Sequence, residues 1–102
     1  MAYVKNTIYK MLEKFGEDSQ IDVAIEEMSE LIKELVKYKR SKIHFRERQA
    51  TSRANVVEEI SDVAFMLEYL KKIFEISDEE IDDMVLIKAS RTERRYLNGE
   101  TC

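Results

Sequence analysis

Apolar residues recur at intervals of three and four along most of this chain, the spacing that lines one face of a helix with 3.6 residues per turn. Val4, Ile8, Met11, Leu12 and Phe15 mark a first helix from about Val4 to Phe15, closed by Gly16. Ile21, Ala24, Ile25, Met28, Leu31, Ile32, Leu35 and Val36 mark a second, from near Ser19 to about Arg40. A basic connection follows, roughly Ser41 to Ser52. The third helix begins near Thr51 or Ser52 and ends near Phe74, with Val56, Val57, Ile60, Val63, Ala64, Leu67, Leu70 and Phe74 on its expected buried face. Ser77 then reads as an N-cap whose capping box is completed by Glu80, and Asp78 and Glu79 suit the positive end of the helix dipole. The fourth helix runs to about Leu97, with Asn98-Gly99 as its C-cap. Met84, Val85, Leu86 and Ile87 are apolar on every side of it, which predicts burial against two neighbours, one of them another subunit.

Composition narrows the fold. The chain has 102 residues, two glycines and no proline, and 37% of its residues are charged. That is one domain over residues 1–102, all-α, with four helices in a bundle-like protomer. A protomer this small buries a modest core, so association with copies of itself is expected on stability grounds. No run approaches the ~20 apolar residues that span a bilayer, and the start leads into no stretch of signal-peptide type. Cys102 alone cannot form an internal disulfide. The expectation is a cytoplasmic protein that does not engage a membrane.

Net charge is −4, which argues against general nucleic-acid binding, but it is unevenly spread. Between Lys37 and Arg53 the balance is +6, leaving −10 for the rest of the chain. Such a split marks a place where an anionic ligand can meet acidic, metal-holding groups.

The acids carry an internal repeat. Ile25-Glu26-Glu27-Met28-Ser29-Glu30-Leu31 aligns with Val57-Glu58-Glu59-Ile60-Ser61-Asp62-Val63, 32 positions on, each within a long predicted helix. At about 100° per residue, Glu27, Glu30 and Glu34 border one side of an apolar face centred near Met28. Glu59 and Asp62 occupy the matching border beside Ile60, while Glu26 and Glu58 lie further round. Antiparallel packing of the two apolar faces would bring both acidic borders to one site beside the core. Taken singly, an acid pair at this spacing is a solvated helix surface far more often than a ligand set. Two matched pairs on two helices favour a metal, because a hard divalent ion turns carboxylate repulsion into attraction and readily takes carboxylates together with substrate phosphates.

Glu26-Glu27-x-x-Glu30 followed by Glu59-x-x-Asp62 resembles the EExxE…ExxD signature of the MazG-like, all-alpha nucleoside triphosphate pyrophosphohydrolases. The resemblance covers the central two helices, and the four-helix layout extends it over most of the chain. It implies Mg2+, with Mn2+ as a substitute, held by Glu27, Glu30, Glu59 and Asp62. It further implies hydrolysis of a nucleoside triphosphate to monophosphate and pyrophosphate, and a homodimer or homotetramer. One carboxylate would activate the attacking water, Glu30 being the candidate taken. Met66 stands one turn beyond Asp62, near where some relatives carry further acids, so the number of metals stays open. Lys88, Arg91 and Arg95 line one stripe of the fourth helix and resemble the family's triphosphate-contacting residues. Arg offers forked donors for phosphate and Lys a compact charge, while cations at a helix end also simply offset its dipole. In the basic segment Lys42, Arg46, Arg48 or Arg53 could meet phosphates and His44 or Phe45 flank a base, although a surface loop is the preferred reading for each. Tyr38, Tyr69 and Tyr96 are expected to pack.

A non-catalytic helical interaction protein is the competing reading, its acids solvated and its apolar segment binding a partner helix. A di-iron bundle needs Glu-x-x-His motifs that the single His44 does not supply. An EF-hand needs an Asp/Asn-rich loop with a central Gly, which is absent from the sequence.

Overall fold

Four α-helices account for most of the residues that the computed structural model describes, 2–43 and 51–99. They are α1 (Ala2–Phe15), α2 (Glu17–Ile43), α3 (Arg53–Ile73) and α4 (Asp78–Thr92), the last running into a single π turn, Glu93–Leu97. Among the described residues there is no strand. No helix among them is long and apolar enough to cross a membrane.

The junctions follow from local chemistry. Gly16 adopts φ +87°, and its N–H donates to the Leu12 carbonyl at 2.9 Å while its own carbonyl accepts from the Gln20 N–H at 3.4 Å. One glycine thus ends α1 and starts α2, so α2 begins at Glu17 rather than near Ser19, and it continues past Arg40 to Ile43. Ser52 caps α3 by accepting from the Asn55 N–H at 3.1 Å. At α4 the capping box forms as expected: Ser77 Oγ accepts from the Glu80 N–H at 3.1 Å, and Glu80 Oε2 accepts from the Ser77 N–H at 2.8 Å. The far end differs from the expected plain α-helix. Its last turn widens to π, and the Asn98 N–H donates to the Glu93 carbonyl at 2.9 Å.

The core lies where α1, α2 and α3 meet. Ile8, Ala24, Met66 and Tyr69 are buried, with Val4, Met11, Leu12, Val23 and Leu70 packed around them. The Phe65 ring meets Tyr69 edge-on at 5.1 Å between centroids, a favoured aromatic geometry.

This core corrects the expected one. Of the apolar faces read from the sequence, Ile21, Ala24, Met28 and Leu31 on α2 and Val56, Val63 and Leu70 on α3 are at least partly buried, whereas Ile25, Ile32, Leu35 and Val36 on α2 and Val57, Ile60 and Leu67 on α3 are each 45% exposed or more. Polar and further side chains share this buried side: Gln20, Glu27 and Glu34 on α2, and Glu59, Asp62, Met66 and Tyr69 on α3, are also withdrawn from solvent. Gln20, Ala24, Glu27, Leu31 and Glu34 step by three and four, so the seam side of α2 is a stripe of mixed polarity. Met84, Val85, Leu86 and Ile87 are also exposed, and no residue of α4 is buried. The Cα radius of gyration is 17.7 Å, against about 13 Å for a compact domain of about 100 residues.

The α3–α4 turn holds an unfavourable residue. Phe74 ends α3, and the Ile76 N–H donates to the Lys71 carbonyl at 2.8 Å and the Glu75 N–H to that of Lys72 at 3.3 Å. This is the Schellman arrangement, which normally places glycine where Glu75 sits at φ 54°. An L-residue pays about 1–2 kcal/mol for that conformation, partly offset by the looser unfolded chain a glycine would bring. Glu75→Gly should therefore raise stability by up to about 1 kcal/mol, measured as a higher urea midpoint at unchanged slope.

Candidate metal centre

α2 and α3 run antiparallel, as the pairing of positions along them shows. Gln20 shares a cavity wall with Met66 and Tyr69, Glu27 lies beside Asp62, and Glu34 lies near Glu59 and Thr51. Glu27 is one turn from buried Ala24, and Asp62 one turn from buried Met66. The acids therefore stand immediately beyond the tightest contact between the helices.

At that point Glu27, Glu59 and Asp62 each offer a carboxylate oxygen, and the three oxygens lie within 4.8 Å of one another. All three residues are partly buried. The Oε2 atom of Glu59 is buried and makes no hydrogen bond among the described residues. Burial pushes Glu27 above the ordinary carboxylate range, followed by the charge of Asp62, a hydrogen bond with it, and the charges of Glu59 and Glu26. Glu59 is pushed up by burial, then by the charges of Asp62, Glu30, Glu58 and Glu34. These acids are crowded, short of donors and partly dry, conditions that a hard cation relieves.

Glu30 is not a member of this trio. Its side chain is exposed, although it is near enough for its charge to raise Glu59. Glu34, part of the stripe seen in the sequence but not singled out from it, is instead buried. A hydrogen bond from the Thr51 side chain and then the Lys37 ammonium, 3.4 Å from Oε1, hold Glu34 below the ordinary range, against the effect of burial. Its Oε2 is buried without a partner among the described residues. Gln20 was also missed; its only sequence signal is its place in the stripe Gln20-Ala24-Glu27-Leu31-Glu34. Glu26 and Glu58 are exposed, as their directions on the helix predict.

A cavity of about 240 Å³ opens beside the trio, lined by Met11, Gln20, Val23, Glu27, Asp62, Phe65, Met66 and Tyr69. A larger one, about 600 Å³, lies between α1 and the α3–α4 turn, away from the acids. There Lys71 is engaged by Asp78 at 2.7 Å and by Glu68. Lys88, Arg91 and Arg95 are exposed on α4 and the π turn, and none of them lines the cavity beside the trio. Tyr69 packs as expected, whereas Tyr38 and Tyr96 are 46% and 75% exposed. Arg53 is exposed at the start of α3. The side chain of Lys42, and His44, Phe45, Arg46, Arg48 and Cys102, lie outside the described residues.

No family model matches the sequence, and no curated protein or solved structure matches it either. The acid geometry stands on its own.

That geometry has a pH signature. Glu27 and Glu59 bind protons more readily folded than unfolded, so their contribution to stability is full below the ordinary glutamate value of 4.5 and is lost as pH rises through their raised values. Glu34 and Glu80, with the same ordinary value of 4.5, and Asp78, with 3.8, are held low. They act at the other end, losing their contribution as pH falls through their lowered values. Without divalent ions, the melting temperature should fall as pH rises above 4.5, and Glu59→Gln should flatten that fall. Millimolar Mg2+ should reverse it in the wild type and not in the variant.

Proposed function

We propose that this chain hydrolyses a nucleoside triphosphate to monophosphate and pyrophosphate at the Glu27, Glu59 and Asp62 cluster, as its resemblance to the MazG-like pyrophosphohydrolases implies. The observation that carries the proposal is the convergence of three carboxylate oxygens within 4.8 Å, one of the residues keeping a buried oxygen without a donor. Three oxygen donors with no nitrogen or sulfur ligand fit Mg2+, or Mn2+ in its place, better than zinc. When bound, the ion would neutralise phosphate charge and lower the pKa of a coordinated water.

The roles of the side chains follow from their positions. Glu27, Glu59 and Asp62 would hold the ion, which would supply positive charge for the triphosphate. Glu30, exposed beside them, is assigned as the base. Water adds to the α-phosphorus, its proton passes to the Glu30 carboxylate, and the α–β bridging P–O bond breaks with its electron pair leaving on pyrophosphate. Asp62→Asn should lower kcat/KM by about 100-fold or more, since loss of a metal's outer partners alone costs 10–100-fold. Glu30→Gln should lower kcat by about 10²–10⁴-fold, the usual worth of a general base, with substrate binding largely kept. Pyrophosphate release from a panel of ordinary and deoxy triphosphates, with and without Mg2+, measures both. Full activity in both variants would defeat the assignment, and no Mg2+-dependent turnover of any triphosphate would leave the non-catalytic interaction protein.

A homo-oligomer, dimer or tetramer, belongs to the same proposal. Val57, Ile60 and Leu67 on α3 and Ile25, Ile32, Leu35 and Val36 on α2 leave apolar faces open on the two helices that bear the acids. Only four apolar residues are buried among those described, too few to stabilise a chain of 102 residues. A second copy is the occupant these faces fit, and its α4 would bring Lys88, Arg91 and Arg95 to the triphosphate. Sedimentation should give a mass at least twice the 12.1 kDa of one chain, and Ile60→Glu should shift it toward the monomer.

A further inference from the structure

Among the side chains around the acidic cluster, Gln20 is an uncharged polar group that the fold buries. It is only 4% exposed, and the exposure it keeps leaves its amide in reach of solvent, unlike the buried Oε2 atoms of Glu34 and Glu59. Its side-chain amide makes no hydrogen bond among the described residues, and its backbone N–H is satisfied by Gly16. The amide borders the 240 Å³ cavity, where the other walls are Met11, Val23, Phe65, Met66 and Tyr69, with Glu27 and Asp62 at one end. A polar group kept in so apolar a pocket fixes the orientation of what enters.

We propose, resting on the reading of the acids as a phosphate platform, that this cavity takes the nucleobase and that Gln20 determines which base is accepted. Four features fit a planar heterocycle. The volume is below the ~300 Å³ at which drug-sized pockets begin, so it takes the base and leaves sugar and phosphates outside. Tyr69 and Phe65, locked edge-to-face, and the thioethers of Met11 and Met66 are polarisable surfaces suited to a π ring. A glutamine amide carries a donor and an acceptor side by side, the pattern that pairs bidentately with a base edge. Gln20 also precedes Glu27 by two helical turns, about 10 Å along α2, comparable with the reach from a base edge through the sugar to the phosphates.

The test uses the whole chain and two readouts. Metal-free protein with labelled methionine methyls and glutamine amides is titrated with cytidine, uridine, thymidine, adenosine and guanosine. Separately, kcat/KM is measured for the matching triphosphates and for inorganic triphosphate. The Gln20 amide and the Met11 and Met66 methyls should shift with one or two nucleosides and much less with the rest. Gln20→Leu, which keeps the bulk, should reduce the spread of kcat/KM between best and worst base by about 10- to 100-fold. Inorganic triphosphate turnover should stay unchanged. Gln20→Glu, which removes the donor, should reorder the preference rather than flatten it, and is informative even if the leucine variant folds poorly. Nucleoside shifts absent from these residues, or a base ranking unaltered in both variants, would overturn the proposal. If no triphosphate is turned over while the nucleosides still bind at Gln20, the hydrolase reading fails and the base site stands.

Discussion

The antiparallel seam between α2 and α3 is the constraint on which the rest of the molecule depends. Ala24 and Met66 are buried where the helices meet, with Ile8 from α1 and Tyr69 completing the contact. One turn further on, the same two helices present Glu27 and Asp62, with Glu59 beside them. A carboxylate on a free helix escapes its neighbours by rotating into water. Here the packed residues one turn away set the separation of the backbones, so the acids cannot move apart without opening the core. Their crowding follows from that packing, and at Glu27 and Glu59 burial first and the neighbouring acids second raise the affinity for a proton.

The direction of each shift sorts the acids of the chain into two kinds. Glu34, Asp78 and Glu80 have donors: Thr51 and Lys37 for the first, Lys71 for the second, the Ser77 backbone and hydroxyl for the third. Those carboxylates hold caps and helix contacts together. Glu27 and Glu59 are pushed the opposite way, by burial first and then by the acids around them. Structural carboxylates are normally matched to donors, so a group of them matched to one another is where a ligand of opposite charge is needed. Glu34 sits at the boundary, with Oε1 paired to Lys37 and Oε2 buried without a donor.

What was legible in the sequence was mostly local. Gly16, and Ser77 with Glu80, act where they were read, because a cap depends on residues within a few positions of itself. The turn at Glu75 was invisible, since a Schellman motif is recognised by the glycine that this chain lacks. The widening of the last turn to π after Thr92 left no mark either. The more consequential miss was the buried face. Periodicity locates apolar surface without saying what covers it, so Ile60 and Ile25 looked like core and are exposed. The acidic border, taken as flanking the seam, lies in it. Glu27, Glu59 and Asp62 were found from their repeat; Glu30, one of the same motif, turns out exposed because it is off the Gln20-Ala24-Glu27-Leu31-Glu34 stripe.

This mixing of acids and apolar residues in the seam links stability to chemistry. A seam filled with carboxylates is a poor source of folding energy, because burying charge opposes the gain from burying Ala24, Met66 and Tyr69. An apolar seam would fold better and hold no ion. The chain places acids beside apolar residues in the seam and leaves further apolar residues outside, on α2, α3 and the whole circumference of Met84 to Ile87. Burial of those outer faces would stabilise the helices that the acids destabilise. In the assembly proposed above, a second copy would therefore act on the acidic cluster without touching it, by fixing the two helices whose spacing sets the distance between Glu27 and Asp62.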